Sequence, residues 1–142
     1  MACSENPPVV DRAKPLEVKF NNFSDGLSNT LLMSEYLVAW SQADNDWRGD
    51  IHNDDGVFKF MTINTPNSSA PDMVNWNIPT NDPLMPVTTG DSWLQQNTAR
   101  SRHSGGVNAL LGDGSVRFIR NSIAVDTWKG MGTINGGEVF GD

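Results

Sequence analysis

Two apolar runs either side of a turn signal form the clearest pattern along the chain. Residues 107–111 (Val-Asn-Ala-Leu-Leu) and 115–119 (Ser-Val-Arg-Phe-Ile) flank Gly112-Asp113-Gly114. Asp-Gly readily takes the positive-φ geometry of a tight hairpin loop, so an antiparallel hairpin is predicted over 107–119. Gly105-Gly106 frees the backbone to bend into the first of these strands. Upstream, residues 18–23 read as a short strand leading into an Asp25-Gly26 turn. Residues 27–40 carry two patterns. Ser28 can cap a helix on which Leu31, Leu32, Glu35, Tyr36 and Ala39 share a face. Alternatively, a helical turn at Ser28-Asn29 precedes a buried strand over 31–38. Residues 57–63 alternate in part and predict a strand, and residues 72–76 predict a helical turn. Ala124, Val125, Trp128 and Met131 give residues 121–131 the apolar face of a short helix, with Gly130 and Gly132 helping to end it. A Gly-rich tail follows, with one edge strand predicted at 138–140.

The elements sum to an α+β fold. It is a mostly antiparallel β-sheet with one or two short helices and long loops. Residues 1–17, with Pro7-Pro8 and Lys14-Pro15, predict an extended segment, and residues 18–142 a single β-rich domain. The 142 residues suit one domain with a core of its own. Eight Pro and thirteen Gly favour loops and short strands over a helical bundle. Residues 64–98 contain Pro66, Pro71, Pro79, Pro83 and Pro86 and predict a long irregular region. No run approaches the length of a membrane span.

Charge narrows the partners. Seventeen acidic side chains against ten basic ones give a net charge of −7, which repels a phosphate backbone and argues against nucleic acid. The single cysteine, Cys3, permits neither an internal disulfide nor a cysteine-based zinc site. Acidic residues concentrate in 43–56. There Asp44, Asp46, Asp50 and Asp55 are the candidate oxygen ligands for Ca²⁺, with Gly49 at the position of a calcium loop's glycine. Arg48 stands where such a loop needs a ligand, and the last ligand is Asp rather than Glu. The competing reading is a solvated loop in which Arg48 pairs with Asp46 or Asp50.

Two histidines, His52 and His103, offer no zinc spacing. Arg100 and Arg102 beside His103 would lower its pKa if they stay close. A metal-assisted hydrolase would use His103 and the acidic loop, but no serine lies in a nucleophile elbow. The structural alternative has His103 bonded to a backbone carbonyl, orienting the Gly105-Gly106 bend. Asp25 and Asp113 read as turn formers whose side chains accept backbone N–H bonds, with Gly26 and Gly114 completing the turns. Glu35 and Glu138 adjoin apolar residues and predict partly buried carboxylates paired with Arg117 or Arg120. Five tryptophans, Trp40, Trp47, Trp76, Trp93 and Trp128, would allow a glycan-stacking surface.

Three ordered blocks carry a resemblance. The first is His103, nine residues, then Asp113-Gly114. The second is Asp25-Gly26-Leu27-Ser28-Asn29-Thr30, an apolar run and Glu35. The third is Trp128, Gly132-Thr133 and Gly136-Gly137-Glu138-Val139. Asp46-Trp47-Arg48-Gly49 and Thr65-Pro66-Asn67-Ser68-Ser69-Ala70-Pro71-Asp72 agree with it. Over residues 20–142 the chain resembles the planctomycete-type family of prepilin-like proteins, pilin- or pseudopilin-like subunits. The resemblance implies the globular head of an exported, non-enzymatic structural subunit at the cell surface, and favours a strand over 31–38. Its partners would be further copies or other pilin-like subunits, with glycans as the alternative ligand. It also implies a long apolar N-terminal helix packed on the sheet. That helix is not found in this sequence, so membrane attachment would run only through it, and an apolar sheet face is expected to be exposed.

Overall fold

The computed structural model describes residues 17–38, 46–50, 52, 59–74, 82–90 and 95–137. Its centre is a three-stranded antiparallel sheet of strand order β1-β4-β5, made of β1 (Leu31–Ser34), β4 (Gly106–Leu111) and β5 (Val116–Arg120). The predicted hairpin forms. Val107 pairs with Ile119, Ala109 with Arg117 and Leu110 with Val116. At the turn, Gly114 N–H donates to Leu111 O (3.0 Å) and Leu111 N–H to Ser115 O (2.9 Å). With Gly114 at φ 83°, this is a three-residue loop closed by a glycine bulge.

Alternation along β4 assigns the faces. Val107, Ala109 and Leu111 point inward and are buried. They pack with Leu31, Ala99, Ile119, Trp128 and Met131 into one core, against which Phe60 and Ile123 rest. The Trp128 indole N–H donates to Asn64 O at 2.8 Å, which satisfies its one polar atom in the core. Trp128 and Met131 belong to α1 (Val125–Met131). Asp126 in its first turn and Lys129 in its last complement the helix dipole.

β1 meets β4 through a bulge: Leu31 pairs with Leu111 but Met33 with Leu110, leaving Leu32 as the extra residue. The extra residue flips the faces, placing Leu31 in the core and Met33 on the opposite side. Before β1, a 3₁₀ turn at Leu27–Asn29 braces the hairpin loop: Leu27 O accepts Asp113 N–H (3.1 Å) and Thr30 O accepts Gly112 N–H (2.8 Å). A Cβ on Gly112 would lie 2.8 Å from Leu27 O, so only glycine permits this approach.

A second ladder joins β2 (Asp72–Val74) and β3 (Val87–Thr89) in parallel, and Met73 also exchanges N–H···O bonds with Gln96. The helical turn expected at 72–76 is therefore a strand where it is described, at 72–74. Met73 bonds to Gln96, and the Asp72 and Gly90 N–H groups bond across the ladder to Pro86 O and Val74 O. The strand expected at 18–23 is instead a 3₁₀ turn, Phe20–Asn22. Local bonds capture it: Lys19 N–H donates to Asn22 Oδ1 (2.7 Å) and Asn22 N–H to Lys19 O (2.9 Å). The 31–38 strand is realised at Leu31–Ser34, preceded by the expected turn at Ser28-Asn29. Of 57–63, Met61 makes a single bridge to Thr98, and residues 57–58 lie outside the described residues. The helix expected over 121–131 begins later, at Val125. The edge strand expected at 138–140 lies outside the described residues.

Candidate functional site

The outward face of the sheet begins at a row of apolar residues. Met33, Leu110 and Val116 lie side by side across the three strands. The next row is Glu35, Asn108 and Phe118, because Glu35 N–H donates to Asn108 O (3.2 Å) and Asn108 pairs with Phe118. Met33 is 66% exposed, Val116 65%, Phe118 49% and Leu32 48%, so this face presents large apolar side chains to solvent. The Phe118 ring lies over Gly106, where a Cβ would meet it at 2.8 Å. The glycine thus serves both the bend and the aromatic ring.

Within this face sits a polar cluster built from two of the resemblance blocks. The Glu35 carboxylate accepts Asn108 N–H (2.8 Å) and Asn108 Nδ2 (3.0 Å), and His103 Nε2 lies 3.0 Å from Glu35 Oε1. Partial burial alone would raise the Glu35 carboxyl. The Asn108 donors and His103 outweigh it and hold the group below its usual value. Glu35 is therefore paired as expected, but with His103 and Asn108 rather than Arg117 or Arg120. His103 likewise engages this carboxylate through Nε2 instead of a backbone carbonyl. Neither neighbouring arginine turns to it: Arg100 runs inward to Asp72, and Arg102 pairs with Asp82 at 2.7 Å. The bend beside His103 is set by Gly105 at φ 85° and by Ser101, whose hydroxyl donates to Gly106 O (2.7 Å) and accepts His103 N–H (3.1 Å).

Behind Glu35 lies a buried ion network. Asp72 is fully buried. Its Oδ2 accepts Tyr36 OH (2.8 Å), Arg48 Nη1 (2.8 Å) and Arg100 Nε (3.0 Å). Its Oδ1 accepts Thr98 N–H (2.9 Å) and Arg100 Nη2 (2.9 Å). Arg48 also grips Asp46, with Nη2 to Oδ2 at 2.7 Å and Nε to Oδ1 at 2.9 Å. The remaining guanidinium donors reach backbone carbonyls of Ser68, Ala70, Leu84, Met85 and Pro86. Two carboxylates and two guanidiniums balance in charge. Burial first, and then the Asp72 carboxylate, push the Tyr36 phenol far above its usual value. Burial lowers the Arg48 guanidinium, but bonds to Asp46 and neighbouring charge override it, so it stays firmly protonated.

The candidate calcium residues are divided by this arrangement. Asp46 pairs with Arg48, as the solvated-loop reading anticipated, but the pair is buried instead of solvated. Asp50 is exposed and accepts His52 N–H at 2.8 Å. Asp44 and Asp55 lie outside the described residues, as do Glu138, Trp40, Trp76 and Trp93. Among the described residues, no group of three or more His, Cys, Asp or Glu side chains is placed to hold a metal ion.

The two Asp-Gly turns differ. Asp113 caps its own turn, accepting Ser115 Oγ (2.6 Å) and Ser115 N–H (2.9 Å), and these bonds lower its carboxyl pKa. Asp25 instead reaches across the chain to Gly137 N–H (2.9 Å), Gly136 N–H (2.8 Å) and Thr133 Oγ1 (3.2 Å). The Gly137 bond leads in keeping its carboxyl below the usual range. Gly26 supplies the left-handed step beside it at φ 89°.

Tyr36, Asp72, Arg100 and Asn67 are the members that sequence reasoning did not single out as a unit. Asn67, at φ 52°, accepts Ser101 N–H (2.8 Å) and donates to Gly106 O (3.2 Å). Their only signal was membership of, or nearness to, the resemblance blocks, because their partners are distant in sequence.

No curated protein and no solved structure matches the chain. A family model does, over residues 2–126. That span takes in the Glu35–His103 pair, the ion network and the whole hairpin, and the chain belongs to the DUF1559 (SBP_bac_10) family, described as proteins of unknown function.

Proposed function

We propose that this chain is the globular head of a pilin-like or pseudopilin-like surface subunit, a structural protein rather than an enzyme. One observation carries the reading: a sheet whose inner face is a complete core and whose outer face still presents Leu32, Met33, Val116 and Phe118. Burying such a face on an amphipathic helix or a neighbouring subunit is favourable by about 25 cal/mol per Å². The bonds made by the resemblance residues support the same reading. His103, Glu35, Asp25, Asn67 and Asp72 bond to other parts of the fold, and Asp113 caps the hairpin turn.

The partners are further copies of the chain or related subunits, and the apolar face mediates the contact. Sedimentation across a concentration series, with electron microscopy of the concentrated protein, tests this. Self-association that is lost in Met33→Asp/Phe118→Asp supports it. A monomer at every concentration, indifferent to these substitutions, refutes it. Turnover of ester, glycoside or phosphoester substrates that disappears in His103→Ala would instead establish the hydrolase reading. The glycan reading has Trp47, 48% exposed, as its described aromatic; selective glycan-array binding lost in Trp47→Ala would favour it.

A further inference from the structure

Among the described residues, three pairs place Asp or Asn before glycine: Asp25-Gly26, Asp113-Gly114 and Asn135-Gly136. Such pairs are chemically vulnerable because an unhindered glycine nitrogen can reach the preceding side-chain carbonyl carbon. At Asn-Gly, that nitrogen gives its proton to solvent and bonds to Cγ, the Cγ–Nδ2 bond breaks, and the departing amino group takes a proton from solvent and leaves as ammonia. A five-membered succinimide results. Water then opens it at either carbonyl, giving aspartate or isoaspartate. The glycine N–H must first be released from any other partner.

The three pairs differ in who holds that N–H. Gly26 N–H donates to Phe23 O (3.1 Å) and Gly114 N–H to Leu111 O (3.0 Å), each a local turn bond. Gly136 N–H has a different holder. It donates to Asp25 Oδ2 at 2.8 Å, a carboxylate 111 positions away, while Gly137 N–H donates to Oδ1 of the same group at 2.9 Å. Asn135 itself is exposed.

We propose that Asn135-Gly136 is a guarded modification site: the Asp25 carboxylate clasps the nucleophilic amide, so conversion of Asn135 to aspartate or isoaspartate requires this turn to open. Asp25 guards and does not catalyse, since a carboxylate this well solvated by donors is a poor base. Conversion is one-way. Isoaspartate adds a methylene to the backbone and a carboxylate beside Asp25, and like charges at that distance repel. The clasp cannot re-form, and the site records each opening of the turn.

The test incubates the purified protein, its Asp25→Ala variant and a synthetic peptide of residues 130–141 at neutral pH, with conversion followed by peptide mapping. The peptide gives the unguarded rate. The wild type should convert at least about tenfold more slowly, the scale of losing a hydrogen bond to a charged group, and Asp25→Ala should approach the peptide. Isomerisation at Asp113 is read in the same digest. Acceleration at Asn135 alone supports the guard, and equal acceleration at both sites means general unfolding and overturns it. A wild type converting at the peptide's rate, or an Asp25→Ala variant as slow as wild type, also overturns it.

Discussion

Removing the Asp72 carboxylate is the sharpest test of what holds this fold together. Asp72→Ala deletes the acceptor for Tyr36 OH, Arg48 Nη1, Arg100 Nε, Arg100 Nη2 and Thr98 N–H, with donor–acceptor distances of 2.8–3.0 Å. Two buried guanidiniums would remain with Asp46 as their one carboxylate partner among the described residues, leaving a net positive charge out of water. Breaking a buried pair from one side costs about 3–5 kcal/mol, against a total stability of about 5–15 kcal/mol for a domain. Asp72→Ala should therefore lose a large fraction of the unfolding free energy, read by urea denaturation through the fluorescence of buried Trp128. Asp72→Asn keeps the shape but turns amide donors toward a guanidinium, and should rank between wild type and Ala. Arg100→Met alone strands an anion, yet with Asp72→Ala in place it should cost less than it does alone, giving a coupling energy above about 1 kcal/mol. A cooperative Asp72→Ala protein that loses less than about 1 kcal/mol would refute the reasoning.

Other perturbations probe separate parts of the structure. The chain has one tyrosine, and the Tyr36 phenol is raised by burial. Its contribution is whole below the unfolded value of about 10 and is lost as pH climbs past it, so tyrosinate absorbance should appear only together with unfolding. Tyrosinate forming near pH 10 in a folded protein would contradict this. The depressed Glu35 carboxyl has the opposite sign: its stabilisation is present above about 4.3 and lost as pH falls through the folded value. Glu35→Gln should flatten the acid limb of a melting-temperature profile, and an unchanged limb would remove Glu35 from it. Asp113→Pro should destabilise the hairpin, because it removes both the N–H bonded to Leu27 O and the Ser115 cap; an unchanged melting temperature would refute the brace. If Ca²⁺ binds the acidic loop of the folded state, occupancy at about 100 times Kd adds roughly 2.7 kcal/mol, with Mg²⁺ doing less. Because Asp46 is held by Arg48, Asp50→Ala is the variant that should abolish the shift, and identical melts in Ca²⁺, Mg²⁺ and chelator would leave a solvated loop.

The hairpin was legible because everything that specifies it is local: alternating apolar positions and a glycine at the one left-handed step. The helix at Val125–Met131 was legible for the same reason, through the spacing of Trp128 and Met131. Legibility fails where partners are remote. Asp72 reads as the end of a Pro- and Ser-rich loop, and nothing nearby announces that its carboxylate meets arginines 24 positions before and 28 after it. The β1 bulge is equally silent. An uninterrupted pattern would place Leu32 opposite Leu110, and only the observed register puts Met33 there. Glu35 shows an intermediate case. Its apolar neighbours predicted a paired carboxylate, but charge alone pointed to Arg117 and Arg120, which are not its partners. Sheet pairing with Asn108, 73 positions away, chose the right ones.

The division between apolar and ionic cores has a physical cause in the chain itself. The region from 59 to 100 has little regular structure among its described residues, so many of its carbonyls lie outside the β2–β3 ladder and must find donors elsewhere. Apolar side chains cannot supply them. An arginine offers five N–H groups in a fixed fork, and Arg48 and Arg100 together bond five backbone carbonyls, those of Ser68, Ala70, Leu84, Met85 and Pro86. The cations then need buried anions, which Asp46 and Asp72 provide. Replacing all four charged residues with apolar ones need not be neutral here, although it often is in other folds. In this fold it would also take the guanidinium donors from the Ser68, Ala70, Leu84 and Met85 carbonyls. Such a quadruple variant should lose the loop region while keeping the β4–β5 hairpin, detectable as hydrogen-exchange protection surviving in Gly106–Leu111 but not in Asp72–Val74. Retention of protection in both strands would mean that the ion network is dispensable and that packing alone orders the loops.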